Sequence, residues 1–264
     1  MNKKNSRHFD PCRELGNTGF IATALGIGDL ADRAIPLATL VNTVRRAIDA
    51  GLNVIDTAPS YEDGYSEQIV GEAIKGVREQ MFVIDKIDEL DQPVAPQIEA
   101  SLTRLQLEFT DAFVFHNLSS LETFQKLTKA GGGFDQLADC IAAGKTRFRG
   151  ISSHNPEVSL AAVNANLCDL IMFPVGPFVD TRYITEVLPL AKAKSVGIVC
   201  FKTFGAGKLL GDTSGYNEPL QLRPRGKISS GGSDDMTAIL PRLNVSECLH
   251  YTMTLDGAVA LLGE

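Results

Sequence analysis

The sequence predicts a (β/α)8 barrel, a closed parallel sheet ringed by helices, as a single domain spanning 1–264. Three observations lead there. Short apolar runs alternate with amphipathic helical segments along nearly the whole chain, and eight such runs are present. A length of 264 residues at 44% hydrophobic is enough for one core of barrel size. The loops of an open nucleotide-binding sheet are missing: no G-x-G-x-x-G follows the first strand, and GAGKLLG at 205–211 has Leu209 where a P-loop needs Ser or Thr.

ATALGIG, near the start, reads as the first strand, and VNTVRRAIDAG at 41–51 as an amphipathic helix closed by a C-terminal glycine. NVIDTA at 53–58 is a short buried strand. SEQIVGEAIKG at 66–76 is helix again, with Ser66 placed to cap it. MFVIDKID (81–88) is strand, APQIEASLTRLQL (95–107) helix, DAFVFHNL (111–118) strand, FDQLADCIAAGK (134–145) helix and RFRGISS (147–153) strand. PEVSLAAVNANL, YITEVLPLAKAKS and VSECLHYTM are the later helices, between the strands DLIMFPVG, GIVCFKTF and AVALLG. GGGF at 131–134 marks a turn that opens a helix. The segment 211–241, rich in Gly, Ser, Pro and charge without periodicity, is expected to be a lid or mobile loop.

Net charge is −7, which argues against a nucleic-acid or anionic-membrane surface as the main partner. No apolar signal core follows MNKKNSRHFD and no run of about 18 apolar residues occurs, so a cytoplasmic protein that does not cross a membrane is expected. The five cysteines form no C-x-x-C pair, which fits a reducing compartment without a zinc site. No feature of the sequence indicates an oligomeric state.

Asp56, Lys86 and His116 each fall at or near the C-terminal end of a predicted strand, 30 residues apart each time, about one βα unit. In a barrel that puts them on one rim, where sites of this fold are built. Tyr61 lies in the loop just above the first. Singly, an aspartate at a strand end caps a turn, a lone histidine sits satisfied in a core, and a lysine snorkels. Together they suit proton donation. A lysine ammonium stabilises phenolate and makes the tyrosine proton easier to give, an aspartate holds the buried lysine, and a histidine orients a carbonyl. Reduction of a carbonyl, with hydride from a cofactor, is the chemistry that set fits.

IDTAPSYEDGYSE, VIDKI, FVFHNL, AAGKTRFRGISS and VCFKTFGAGKL, in this order, resemble the aldo-keto reductases from about Leu15 to Gly263. The resemblance maps the family's Asp-Tyr-Lys-His tetrad onto Asp56, Tyr61, Lys86 and His116 as catalytic residues. It implies a (β/α)8 barrel, NADPH or NADH as hydride donor with NADP preferred over NAD, no metal, and a small-molecule aldehyde, ketone or sugar as substrate. It also implies nicotinamide contacts at Ser152 and a stacking face at Phe201. Ser153 stands where the family has Asn, and Met172 where it has Gln, so recognition of the carboxamide is weakened or falls to Ser153, His154 or Asn155. FKTFGAGKLL would wrap the pyrophosphate, with Gly205, Gly207 and Leu209 as backbone contacts.

Two further classes are compatible with a barrel. A metal-dependent barrel hydrolase or isomerase would recruit Asp56, His116 and His154, but no H-x-H pair is present and Lys86 would oppose the cation. A cofactor-binding barrel without turnover is favoured by the altered carboxamide contacts and opposed by the intact tetrad. AVALLGE reads as the eighth strand with no helix after it, so the natural polypeptide is expected to continue past Glu264 into a covering helix. In the resembling family, that segment carries the basic residues that hold the 2'-phosphate of NADP.

Overall fold

In this computed structural model residues 11–177, 179–211 and 242–262 are described; nearly all of the expected 211–241 lid lies outside them. The described chain starts with an antiparallel hairpin, β1 (Cys12–Glu14) and β2 (Ile21–Thr23). Eight parallel strands follow: β3 (Leu25–Ile27), β4 (Val54–Asp56), β5 (Phe82–Ile87), β6 (Thr110–Phe115), β7 (Thr146–Ser152), β8 (Leu170–Pro174), β9 (Gly197–Phe201) and β10 (Ala258–Leu262). They close into a barrel in chain order, with β10 pairing both β9 and β3. All eight coincide with the predicted strands.

Successive side chains of a strand face opposite ways, so each strand divides its residues between the barrel interior and the helices outside. Val54, Phe82, Ile84, Ala112, Val114, Leu170, Met172, Val199, Phe201, Val259 and Leu261 form one buried cluster that fills the barrel. The opposite phase packs outward. Ile27, Ile55 and Val83 meet α1 (Leu37–Asp49) and α2 (Tyr65–Ala73). Ile87, Phe113, Phe115, Ile151, Ile171, Phe173, Ile198 and Cys200 share a larger cluster with α3 (Val94–Leu105), α4 (Leu121–Leu127), α5 (Gly133–Ala142), α6 (Pro156–Asn164) and α7 (Leu188–Ala193). A π-helical turn, Tyr183–Val187, leads into α7, and α8 (Val245–Met253) precedes the last strand.

The hairpin closes the N-terminal mouth of the barrel. Leu15, fully buried, belongs to the interior cluster, and the Phe20 ring lies 5.2 Å from Phe82, which stacks on Phe148 at 6.0 Å. Gly16 is required at the turn: a Cβ there would lie 2.3 Å from the Gly197 nitrogen, and its φ is +54°. Arg13 ties the hairpin to the seam, donating to the carbonyl of Leu255 at 3.3 Å and of Ala258 at 2.5 Å.

The elements depart from expectation in three places. α1 begins four residues earlier than its apolar periodicity suggested. The stretch after β6, to which no helix was assigned from the sequence, contains α4, whose Ser120 side chain accepts from the Thr123 amide. Ser66 does not cap α2. That helix starts at Tyr65 behind Gly64, and the Ser66 hydroxyl instead accepts from Thr57 at 2.9 Å.

Candidate active site

On β4, β5 and β6 the inward phase, continued to the C-terminal end, changes from apolar to polar. On β4 it runs Val54 then Asp56; on β5, Phe82, Ile84, Lys86; along β6 it reaches His116 just past the strand, where the His116 amide donates to Ile87 at 3.0 Å. The Lys86 ammonium donates to Asp56 Oδ2 at 2.6 Å and to the carbonyl of Thr57 at 2.8 Å. Its side chain is 2% exposed and that of Asp56 1%, so each charge depends on the other for the solvation it has lost. Lys86 Nζ also lies 4.3 Å from the centroid of the buried Tyr61 ring. Tyr61 in turn meets the His116 ring edge-on, with centroids 5.7 Å apart at 81°. The four residues thus come together at one end of the barrel.

Tyr61 is carried by an unusual turn. Glu62, Asp63 and Gly64 all adopt left-handed backbone, with φ of 50°, 49° and 79°. For the two residues that carry a Cβ this conformation is disfavoured. Arg33, from the loop after β3, secures it by donating to the carbonyls of Glu62 at 2.5 Å and Asp63 at 3.2 Å.

Two acids around Lys86 were not singled out in the sequence. Asp88 continues the inward phase of Ile84 and Lys86. Its Oδ1 is hydrogen-bonded to His116 Nδ1 and its Oδ2 accepts from the Ser60 amide at 2.7 Å. Burial works to raise its pKa, but the hydrogen bond and charge of His116 and the Ser60 amide outweigh that and hold Asp88 below its ordinary value. The signal was available: VIDKID continues the alternation of the strand by one more step. Asp85 faces the opposite way, toward α2 and α3, and is fully buried. Burial first, and the Glu67 carboxylate second, push it well above the usual carboxylate range. Its Oδ1 accepts from the Lys86 amide at 2.8 Å, while Oδ2 has no hydrogen-bond partner among the described residues. Glu67, also fully buried, is bound by the Arg104 guanidinium through two nitrogens.

The residues expected to meet a cofactor lie on the next strands round. Ser152 ends β7 on the inward phase, and its hydroxyl accepts from the Asn117 amide at 3.0 Å. Ser153 faces away. Its hydroxyl donates to the Asn155 carbonyl and accepts from the Asn155 amide, both at 3.1 Å, within the turn that starts α6. The Asn155 side chain caps that helix through the Glu157 amide at 2.9 Å. Met172 and Phe201 both line the barrel, and the His154 ring meets Phe201 at 5.1 Å. In the loop after β9, Thr203 is buried and its hydroxyl has no hydrogen-bond partner among the described residues. The amides of Gly205, Gly207 and Leu209 donate inside this loop, to Lys202 at 2.8 Å and to Phe204 at 3.1 Å and 3.3 Å. Among the described residues Asp56, His116 and His154 form no metal-ligand cluster.

Comparison with known proteins gives this geometry a context. The Aldo/keto reductase family matches residues 23–239. L-galactose dehydrogenase of Arabidopsis thaliana is 29% identical over 219 residues, 75% of this chain and 66% of that protein. Methylglyoxal reductase YeaE of Escherichia coli is 33% identical over 141 residues, 52% of this chain and 47% of that protein. The matched region thus spans about half to two thirds of the length of these relatives. Among solved structures, an aldo-keto reductase from Klebsiella pneumoniae in complex with NADP and acetate superposes with a TM-score of 0.69. It covers 96% of this chain and 84% of that one, and at 20% identity the likeness carries the fold alone.

Proposed function

The chain belongs to the aldo/keto reductase family, and from that premise we propose that it is an NAD(P)H-dependent oxidoreductase reducing the carbonyl of a small molecule to an alcohol, with Tyr61 as general acid. The observation that carries this reading is the position of the Lys86 ammonium, 2.6 Å from Asp56 Oδ2 and 4.3 Å from the Tyr61 ring centroid. A cation there stabilises the phenolate left when Tyr61 gives up its proton, which makes the phenol a stronger acid. Asp56 keeps the ammonium in place without contributing a proton of its own. Tyr61 donates to the carbonyl oxygen as it becomes an alcohol, and His116, edge-on to Tyr61, orients that oxygen.

When bound, a reduced nicotinamide supplies hydride to the carbonyl carbon. The residues present fit such a group. Ser152, at the end of β7, pairs with Met172 in the middle of β8, both on the inward phase; Phe201 offers an aromatic surface, and the unpartnered Thr203 hydroxyl lies two residues beyond it. Gly205, Gly207 and Leu209 would meet the pyrophosphate by exchanging the turn hydrogen bonds they now make. NADP is proposed over NAD as what membership of the family implies. The names of the relatives suggest aldehydes and sugars as the first compounds to try.

The test is NADPH oxidation by purified protein, with methylglyoxal among a panel of aldehydes and, in reverse, sugars with NADP. Tyr61→Phe should lower kcat by a factor of about 100 or more while NADPH affinity stays nearly unchanged. Lys86→Met should do the same because the tyrosine becomes a weaker acid. A Tyr61→Phe variant with undiminished kcat would remove Tyr61 from the role.

A further inference from the structure

We infer that Asp88 is a positioning residue that sets the tautomer and the charge of His116, so that the imidazole serves a substrate oxygen as a cationic donor through Nε2. The inference rests on the carbonyl-reductase reading above. A carboxylate has only lone pairs to offer, so the hydrogen bond between Asp88 Oδ1 and His116 Nδ1 puts a proton on Nδ1. Any contact His116 makes to a substrate then runs through Nε2. On neutral imidazole that nitrogen is an acceptor, the wrong polarity for a carbonyl oxygen. On imidazolium it is a donor.

The surroundings favour the cation. Asp88 is itself fixed, because Oδ2 accepts from the Ser60 amide at 2.7 Å. That amide belongs to the residue next to Tyr61, so one carboxylate holds both the imidazole and the start of the tyrosine turn. Other charges face this pair from each element packed against it. Lys86 stands across the Tyr61 ring from His116, and its ammonium is opposed by Asp56. Arg104, on α3, feels the charge of Asp88 but is held in two hydrogen bonds by Glu67 on α2. His154, in the loop after β7, packs against Phe201. Asp88 is thus an anion in direct contact with the ring, and its charge acts in one direction.

The consequence is an alkaline limit on turnover set by His116. Reduction, in which the carbonyl oxygen gains the Tyr61 proton and the carbon gains hydride from the reduced nicotinamide, draws on imidazolium and declines as pH rises through the His116 pKa. Oxidation of the alcohol is the same step reversed, passes through the same transition state and draws on the same donor. Asparagine at position 88 discriminates well. Its one oxygen can serve either the Ser60 amide or the His116 N–H, and in both arrangements the negative charge is gone.

The experiment uses full-length protein labelled with 15N at its four histidines, with the His116 resonances identified by their loss in His116→Gln. In the wild type above the titration, the neutral ring should carry its proton on Nδ1. In folded Asp88→Asn the His116 pKa should drop by about one unit or more. The kcat for reduction should fall about tenfold, and its alkaline limb should move down with the NMR value, while NADPH affinity stays within about twofold. Asp88→Glu should restore the raised pKa. An Nε2–H tautomer in the wild type, or an unmoved pKa in Asp88→Asn, overturns the inference. The wild-type tautomer decides the matter even if the variants do not fold. A wild type that reduces no carbonyl but shows the Nδ1–H tautomer and the Asn shift upholds the pair and defeats the reductase reading instead.

Discussion

At the scale of single residues, the inward-facing positions were readable because a strand alternates. Asp56, Lys86 and His116 share one phase at the ends of consecutive strands, and the same reading extended one step would have included Asp88. Asp85 was hidden for a different reason: nothing in VIDKID announces that an outward-facing acid meets Glu67 on a helix. It makes a clear prediction. The folded-state pKa of Asp85 is raised above the value of 3.8 for an unperturbed side chain. Its contribution to stability is therefore fully present below that value and is lost as pH rises toward the raised one. Asp85→Asn keeps an oxygen for the Lys86 amide and places an N–H₂ near the Glu67 carboxylate. Its melting temperature should match the wild type near pH 4 and exceed it by about 5 °C near pH 8; a difference that does not change with pH would show that Asp85 is ionised at no cost. Met172 gives a second. Its side chain is buried in the barrel lining, so Met172→Gln should destabilise the unliganded protein through an unpaired amide. It should also tighten NADPH binding by roughly 0.5–1.5 kcal/mol if the nicotinamide lies against it. Calorimetry and thermal melts on the same sample check both signs.

At the scale of elements, long periodic segments were legible and short ones were not. The hairpin strands β1 and β2 have three residues each, too few for alternation to show, and α4 has seven, fewer than two turns. Ser66 misled because a serine before an apolar run is a common cap, whereas here glycine in the left-handed region starts the helix and the hydroxyl serves Thr57. The turn between them, YEDG, is the element most exposed to mutation. Arg33 is 52% exposed as a side chain, so its ion pairs with Glu62 and Asp63 contribute little. Its hydrogen bonds to the two carbonyls do more, since they hold backbone that Glu62 and Asp63 disfavour. Arg33→Ala should therefore lower kcat about three- to tenfold with a smaller change in KM, by letting Tyr61 drift. Adding Glu62→Gly, which accepts the left-handed conformation without strain, should recover most of the loss. Steady-state kinetics of the single and double variants test this, and a double variant no better than Arg33→Ala would show that the turn needs no such clasp.

At the scale of the whole molecule, the barrel follows from the alternation of strand and helix, and what the sequence left unread was how the N-terminal mouth is closed. Leu15 lies in no periodic segment, yet it is fully buried among residues of the barrel interior. Leu15→Ala should cost about 2–5 kcal/mol in urea unfolding, the range for a buried leucine whose space is not refilled, while leaving activity of the folded protein unchanged, because the tetrad lies at the opposite mouth. Arg13 joins that plug to Leu255 and Ala258 across sequence separations of 242 and 245 residues. During synthesis a chain emerges at about 5–20 residues per second. Asp56, Tyr61, Lys86 and His116 have thus all left the ribosome well before the residues to which Arg13 is bound exist. The tetrad must wait, on an unclosed sheet with its buried charges exposed, until the last strand inserts between β9 and β3. Loop closure over such a span makes this step slow, and the nascent chain at that stage presents two unpaired strand edges on which a chaperone, or a neighbouring chain, can act.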